Sequence, residues 1–324
     1  MAYRGGRPLR SLGVLTTLLL ICCANAAFAL ARFEYSEVAM GVRARLVLYA
    51  ADKTSADAAA RAAYAKIAAL EDIMSDYRPD SELMALCAKS GGSETSVSDE
   101  LFFILCKCQE LARRSDGAFD CTIGPVVKLW RGARKAGKLP DKSDLEAARR
   151  LTGWRKLKIT SACSKEANYV RLATPGMLLD LGGIAKGYAC DKAIGTLKKS
   201  GIASALVEMG GDIVVSSAPP GKTGWEIEIA NSTDKKTVVL ANAAISSSGD
   251  TEQYVEIDGV RYSHIVDPRT GLGLTNRIAV TVIAPDGVTS DGLSTAISVL
   301  GQMRGKTLAN AWPGVSICVR SATD

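Results

Sequence analysis

The chain has 324 residues, 47% of them apolar, enough for a substantial core in one large domain or two ordinary ones. Its net charge of +6 falls to +3 once an N-terminal segment with three arginines and no acid is set aside, too mild a balance for a nucleic-acid partner. After that segment seven scattered cysteines remain, with no C-x-x-C pair, which signals neither a zinc site nor a disulfide framework.

The opening stretch, "MAYRGGRPLRSLGVLTTLLLICCANAAFALA", has arginines, then an apolar run from Leu12 to Ala24, then small residues. It is expected to be a secretory signal over residues 1–26, cleaved after Ala26 or Ala29. The apolar run falls short of the roughly 20 residues a membrane span needs. A retained membrane anchor is the weaker reading, and "LICC" around Cys22 and Cys23 makes a poor lipidation site. The protein is therefore expected in an exported, periplasmic compartment, with its working domain over residues 30–324.

"RARLVLYA" reads as a strand, and a helix follows in which Thr54 and Asp57 make a capping box. Ala59, Ala63, Ile67, Leu70 and Met74 keep helical spacing until "DYRPDSEL" breaks it. A second helix is expected over residues 98–114, with Leu101, Leu105, Cys108 and Leu111 on one face. Residues 128–158, rich in Lys and Arg, read as a solvated, partly helical excursion. The second half brings short β-like runs ("SALVEM", "WEIEIA", "TVVLA", "YSHIV", "IAVTVIA") with helical runs at 184–199, 290–300 and 303–311. Without a linker or a repeat, the pattern predicts one α+β domain of layered mixed sheets and helices.

Five segments invite a chemical reading. "PPGKTGW" ends like a phosphate-binding loop, but Ser216 stands where the first glycine belongs and a strand pattern follows, so it reads as a turn. "LLDLGGIAKGYACDKA" predicts a strand ending at Asp180, a Gly182-Gly183 turn and a helix from Ile184. Free backbone N–H groups at such a helix start bind anions, and Lys186 adds charge for phosphate, although a glycine-rich turn that merely satisfies packing would look the same. "TSDGLSTAISVLG" puts Asp291 and Thr295 four residues apart on one helix face. They are hard oxygen ligands suited to Mg²⁺, although a dipole-favoured Asp and a core Thr would look the same. The glycines before Asp212 and Asp250 place acids at strand-end turns.

The set resembles the FAD:protein FMN transferase family, the ApbE-like flavin transferases. "DLGGIAKG", "GGD", "SGD", "HIVDPRTG" and "SDGLST" occur in that family's order, and "AMG", "MSDYRPDSEL" and "GAFDCTIGPVVKLW" extend the likeness over residues 40–318. The resemblance implies FAD contacts from Met40, Tyr77, Ala118, Phe119, Asp120, Asp180, Lys186 and Ile265. It implies Mg²⁺ held by the Asp291 and Thr295 side chains and the Gly183 carbonyl. Cys87, Cys121 and Ser290 depart from the family's usual Asn, Pro and Ala.

The implied reaction moves FMN from FAD to a threonine hydroxyl of an acceptor flavoprotein, a membrane-associated redox subunit in the same compartment, and releases AMP. His264, the only histidine, is the expected base for that hydroxyl, with Asp291 or Asp267 as alternatives. Two other readings share these residues. One is an FAD pyrophosphatase giving FMN and AMP; the other is a flavin-binding protein without catalysis, which would not need Asp291 and Thr295 together.

Overall fold

The computed structural model describes residues 1–2, 30–161, 168–229, 237–249 and 254–321. Both expected cleavage positions, Cys22, Cys23, Cys163 and Asp250 lie outside the described residues. The domain opens on a hairpin of β1 (Ala31–Ala39) and β2 (Val42–Ala50). Its turn residues Met40 and Gly41 both have positive φ, 49° and 73°, the geometry that matches the twist of paired strands.

α1 (Lys53–Met74) turns the expected Ala59, Ala63, Ile67, Leu70 and Met74 inward. Its cap, however, is Asp52, whose side chain accepts from Ser55 N at 2.8 Å. Thr54 is already inside the first turn, and Asp57 is held by Lys53 Nζ and Tyr35 Oη, each at 2.7 Å, so the predicted capping box does not form. The break after Met74 is followed by a short helix, α2 (Glu82–Ala88), then β3 (Thr95–Val97). Ser98, at the expected start of the second helix, caps α3 (Asp99–Arg114).

The basic stretch folds as α4 (Gly124–Ala136) and α5 (Lys142–Leu151) before β4 (Leu157–Ser161) and β5 (Asn168–Leu172). It is more than a solvated excursion. Trp130 is fully buried among Val126, Ala133, Ala148 and Val266, because an indole of that size draws its helix onto whatever surface can cover it. No strand precedes Asp180. Residues 177–181 run as a loop, and Asp180 N donates to Cys121 O rather than to a sheet neighbour.

α6 (Ala185–Lys199) leads to β6 (Ala205–Met209), β7 (Asp212–Val215), β8 (Trp225–Glu228), β9 (Thr237–Leu240) and β10 (Ala243–Ser248). Then come β11 (Tyr254–Ile257), β12 (Val260–Ser263), β13 (Ile278–Ala284), α7 (Gly287–Asn310) and β14 (Ser316–Ser321). The two helices predicted near the end are one element that breaks at Gly301, where φ is 75° and ψ is 177°. "PPGKTGW" is a turn into β8, as its alternation implied.

Seven strands form one antiparallel sheet in the order β1-β2-β6-β7-β10-β13-β14. One face buries Leu46, Leu48, Val207, Ala244, Val280 and Val282 in the same core as α1, α6 and α7. The opposite face buries Val47, Leu206, Val215 and Ile245 under Trp225 and Ile227 of the β8–β9 hairpin. A three-stranded sheet, β3-β5-β4, packs beside α3. The layered α+β arrangement expected from the alternation of patterns is the one that forms.

Candidate active site

The site grows from the crossing of α6 and α7. A Cβ on Gly187 would fall 2.0 Å from Gly287 O, and one on Gly287 would fall 2.3 Å from Gly187 O, so the two backbones touch. Asp191, one turn further along α6, accepts from Gly287 N at 2.7 Å and Val288 N at 2.9 Å and caps α7 across the interface. Helix position thus fixes side-chain position: Asp291 and Thr295 of α7 face the start of α6.

There Gly187 N donates to Asp291 Oδ2 at 3.0 Å. Lys186 Nζ lies 3.6 Å from the same oxygen, 3.0 Å from Asp212 Oδ2 and 3.2 Å from Gly182 O. Thr295 Oγ1 is 3.4 Å from Gly183 O, and a Cβ on Gly183 would meet that hydroxyl at 2.9 Å, so only glycine brings its carbonyl so near. Asp212 stands at the start of β7, after Gly210 and Gly211 turn at φ 56° and 94°. Sequence reasoning noted this acid without giving it a role; its glycine pair at a strand end was the available signal.

Charge explains what the pocket accepts. One lysine sits between two buried carboxylates, Asp212 and Asp291, so the cluster carries an uncompensated negative charge. Burial, together with the Asp212 carboxylate, pushes the Asp291 pKa above its ordinary range despite Lys186 and the Gly187 N–H. Burial also works against the Lys186 ammonium, but the two carboxylates outweigh it and hold its pKa above the usual lysine value. Among the described residues no three His, Cys, Asp or Glu side chains form a metal cage. A carboxylate, a hydroxyl and a carbonyl in a spare negative pocket nevertheless fit a small hard cation that keeps room for substrate phosphates.

Asp180 begins the loop into α6. Its Oδ1 accepts from Gly182 N at 2.8 Å, shaping the glycine turn, and its Oδ2 accepts from Arg131 Nη2 at 3.1 Å. Burial and the nearby Asp76 raise its pKa, against Gly182 N–H, Arg131 and Lys186. Leu179 N donates to Cys87 Sγ at 3.3 Å, so the thiol present where the family usually has Asn holds this loop in place.

Apart from Ile265, the remaining expected FAD contacts fall into three groups. Met40 occupies the hairpin turn, its N–H donating to Glu71 Oε2 at 3.1 Å. Tyr77 is 75% exposed, with the Arg131 guanidinium 4.0 Å from its ring centroid. Ala118, Phe119 and Asp120 are buried. Phe119 belongs to the main core, and the Asp120 carboxylate accepts from Thr122 N, Thr122 Oγ1 and Trp154 N at 2.7–2.8 Å.

The strand expected through "YSHIV" ends at Ser263, where Ile265 N donates to Ser263 Oγ at 3.1 Å and bends the chain at His264. Ile265 then packs with Ala118 and with Val299 of α7. The His264–Ile265 bend is therefore seated against the helix that carries Asp291 and Thr295. Asp267, one alternative base, is taken up by Arg269, whose Nε and Nη2 donate to its two oxygens at 2.9 and 2.7 Å.

Residues 40–319 match the family model described as the ApbE family. An FAD:protein FMN transferase of Vibrio cholerae is 36% identical over 250 residues, covering 75% of this chain and 73% of its own. One of Treponema pallidum is 33% identical over 300 residues, covering 87% and 83%. The apo crystal structure of the Pseudomonas stutzeri flavinyl transferase ApbE superposes with a TM-score of 0.77 at 31% identity, covering 90% of this chain and 91% of that one. With the match spanning nearly the whole described domain, including both glycine-crossed helices and the loops they position, the chain belongs to the ApbE family.

Proposed function

We propose that this protein is an FAD:protein FMN transferase that moves FMN from FAD onto a threonine hydroxyl of an acceptor flavoprotein. The observation that carries the reading is the meeting of Lys186, the Gly182-Gly183 turn, Asp291 and Thr295 in one cluster of surplus negative charge. Such a cluster suits a pyrophosphate bound together with a divalent cation.

In the reaction the threonine oxygen forms a bond to the FMN-side phosphorus, the pyrophosphate P–O bond breaks, and AMP leaves. Phosphoryl transfer of this kind needs positioning and charge neutralisation more than covalent help. Lys186 meets the phosphate oxygens, because the N–H groups of Ile184, Ala185 and Gly187 expected to bind them are already taken by Leu181 O and Asp291. Asp291, Thr295 and the Gly183 carbonyl are the residues that would hold Mg²⁺, which when bound neutralises charge on the pyrophosphate oxygens. His264, in its bend beside α7, takes the threonine proton. Tyr77, Asp180, Met40 and Ile265 contribute to FAD binding. An export signal at the N-terminus would place the enzyme in the periplasm, where a membrane-associated redox subunit is the fitting acceptor.

The test incubates the full chain with FAD, Mg²⁺ and an exported flavoprotein subunit that carries a candidate threonine. A fluorescent acceptor band on a denaturing gel, absent when that threonine is replaced by alanine, is the expected result. Release of free FMN with no labelled band would replace transfer by hydrolysis.

A further inference from the structure

Arg131 meets three groups at the edge of the site, although it lies in a stretch whose charges read as solvated. Its neighbour Trp130 is fully buried and donates Nε1–H to Gly271 O at 2.8 Å, which anchors this turn of α4 to the segment that follows His264. With the helix fixed there, the Arg131 guanidinium makes three contacts at once. Nη1 lies 2.6 Å from Asp76 Oδ2, Nη2 lies 3.1 Å from Asp180 Oδ2, and the group sits 4.0 Å from the Tyr77 ring centroid. Only a planar fork can join two carboxylates along its edge while resting on an aromatic face; a lysine ammonium is a point charge and cannot.

Packing alone does not account for Tyr77. A ring 75% exposed forgoes most of the gain from burial, yet this one is held by a cation on one side and belongs to the loop whose Asp76 is tied to the same arginine. Arg134, one helical turn on, is half-buried and leaves its Nε buried without a hydrogen bond. Its position adds positive charge near Tyr77 and Asp180.

The geometry points to Arg131 as a positioning residue for FAD: it presents Tyr77 as a one-sided stacking platform and fixes Asp180 beside it, so that an aromatic ring of the dinucleotide meets both. The inference rests on the FAD reading above. A bridge that merely joined the loop at residues 75–81 to the loop at 177–184 would change stability without selecting substrate affinity. A platform sets affinity and leaves the chemical step alone.

The experiment titrates FAD fluorescence against the full chain as wild type, Arg131→Lys and Arg131→Met, with a thermal melt for each and steady-state kinetics on the acceptor. Arg131→Met is expected to weaken the FAD Kd about 10-fold or more and to raise KM with it, while kcat stays within about twofold. Arg131→Lys, which keeps the charge but not the fork, is expected to weaken Kd about threefold or more. An FAD Kd within twofold of wild type in both variants overturns the inference, and so does a fall in kcat at constant KM. If Arg131→Met does not fold, the Lys variant decides by the same thresholds. A wild-type chain that ignores FAD would remove the flavin reading and this inference together, whereas unchanged affinity in the variants removes only the role of Arg131.

Discussion

His264 shows how much one bend decides. In "RYSHIV" the alternation suggests a strand residue with its side chain on one face, but Ser263 Oγ accepts from Ile265 N and turns the chain there. The imidazole is half-buried in the resulting bend, while its neighbours Ile265 and Val266 go into apolar clusters. His264→Ala is expected to lower the rate of FMN transfer roughly 100-fold, the usual scale for losing a general base. The FAD Kd should stay within about threefold; equal losses in rate and affinity, measured by single turnover and fluorescence titration, would refute the base role. Two of the three departures from the family pattern also resolve at this scale. Cys87 is buried, its pKa is pushed up to about 11 by burial, and its sulfur serves as an acceptor for Leu179 N rather than as a nucleophile. Ser290, where Ala is usual, pairs with Ser246 Oγ at 2.7 Å, and Ser294 pairs with Ser248 Oγ at 2.6 Å. The hydroxyls of "AISSS" and "TSDGLS" thus satisfy one another where β10 meets α7, as buried polar groups must.

Among the elements, the α6–α7 pair governs the site. "AKGYACDKAIG" contains two glycines, and only the surroundings tell them apart. Gly187 faces the Gly287 carbonyl with no room for a methyl group, whereas Gly195 has open space around its Cβ position. Gly187→Ala should force the helices apart, cost about 3 kcal/mol of stability in a urea titration, and abolish transfer by moving Asp291 off Gly187 N and Lys186. Gly195→Ala is the matched control, expected to stabilise the chain by roughly 0.5–1 kcal/mol through helix propensity with activity unchanged. If both variants behaved alike, the crossing would not be the constraint the geometry makes it. Sequence spacing anticipated that Asp291 and Thr295 share a helix face, because 3.6 residues per turn is a local rule. That this face meets Gly183 and Lys186, more than a hundred residues earlier in the chain, follows only from the close approach of two backbones.

Across the whole molecule, Glu100 joins three helices. Lys66 of α1 lies 2.6 Å from its Oε1, while Lys192 of α6, at 3.0 Å, and the Tyr188 hydroxyl of the same helix meet its Oε2. Burial by itself would raise its pKa, but those three donors outweigh it and bring it down to about 2, from an ordinary 4.5. A carboxyl whose folded pKa is depressed stabilises the fold above its unfolded value and loses that contribution as acid protonates it. Stability should therefore fall as pH drops from about 4.5 towards 2. Glu100→Gln should weaken the fold at neutral pH and flatten this part of the acid limb, as read from denaturant midpoints across the pH series. An acid limb identical to that of wild type would show that the three-helix junction contributes nothing to pH dependence.

At the same scale, local rules carried far and then stopped. Period-two and period-3.6 patterns, the start of a helix at Ser98 and the failed phosphate loop were legible because each depends on residues within one or two turns of one another. So was the family resemblance, since its motifs are contiguous. The cap at Asp52, the loop in place of a strand before Asp180 and the bend at His264 were not. Each depends on which competing partner a backbone group or carboxylate reaches once the chain has folded. Asp212 and Arg131 gained their roles the same way, through contacts with residues distant in sequence that no spacing rule encodes. The amino-acid order by itself determined which side chains with phosphate- and cation-binding chemistry were available. The tertiary structure alone decided that they meet in one cluster, because two glycine-lined helices can touch only where neither carries a side chain.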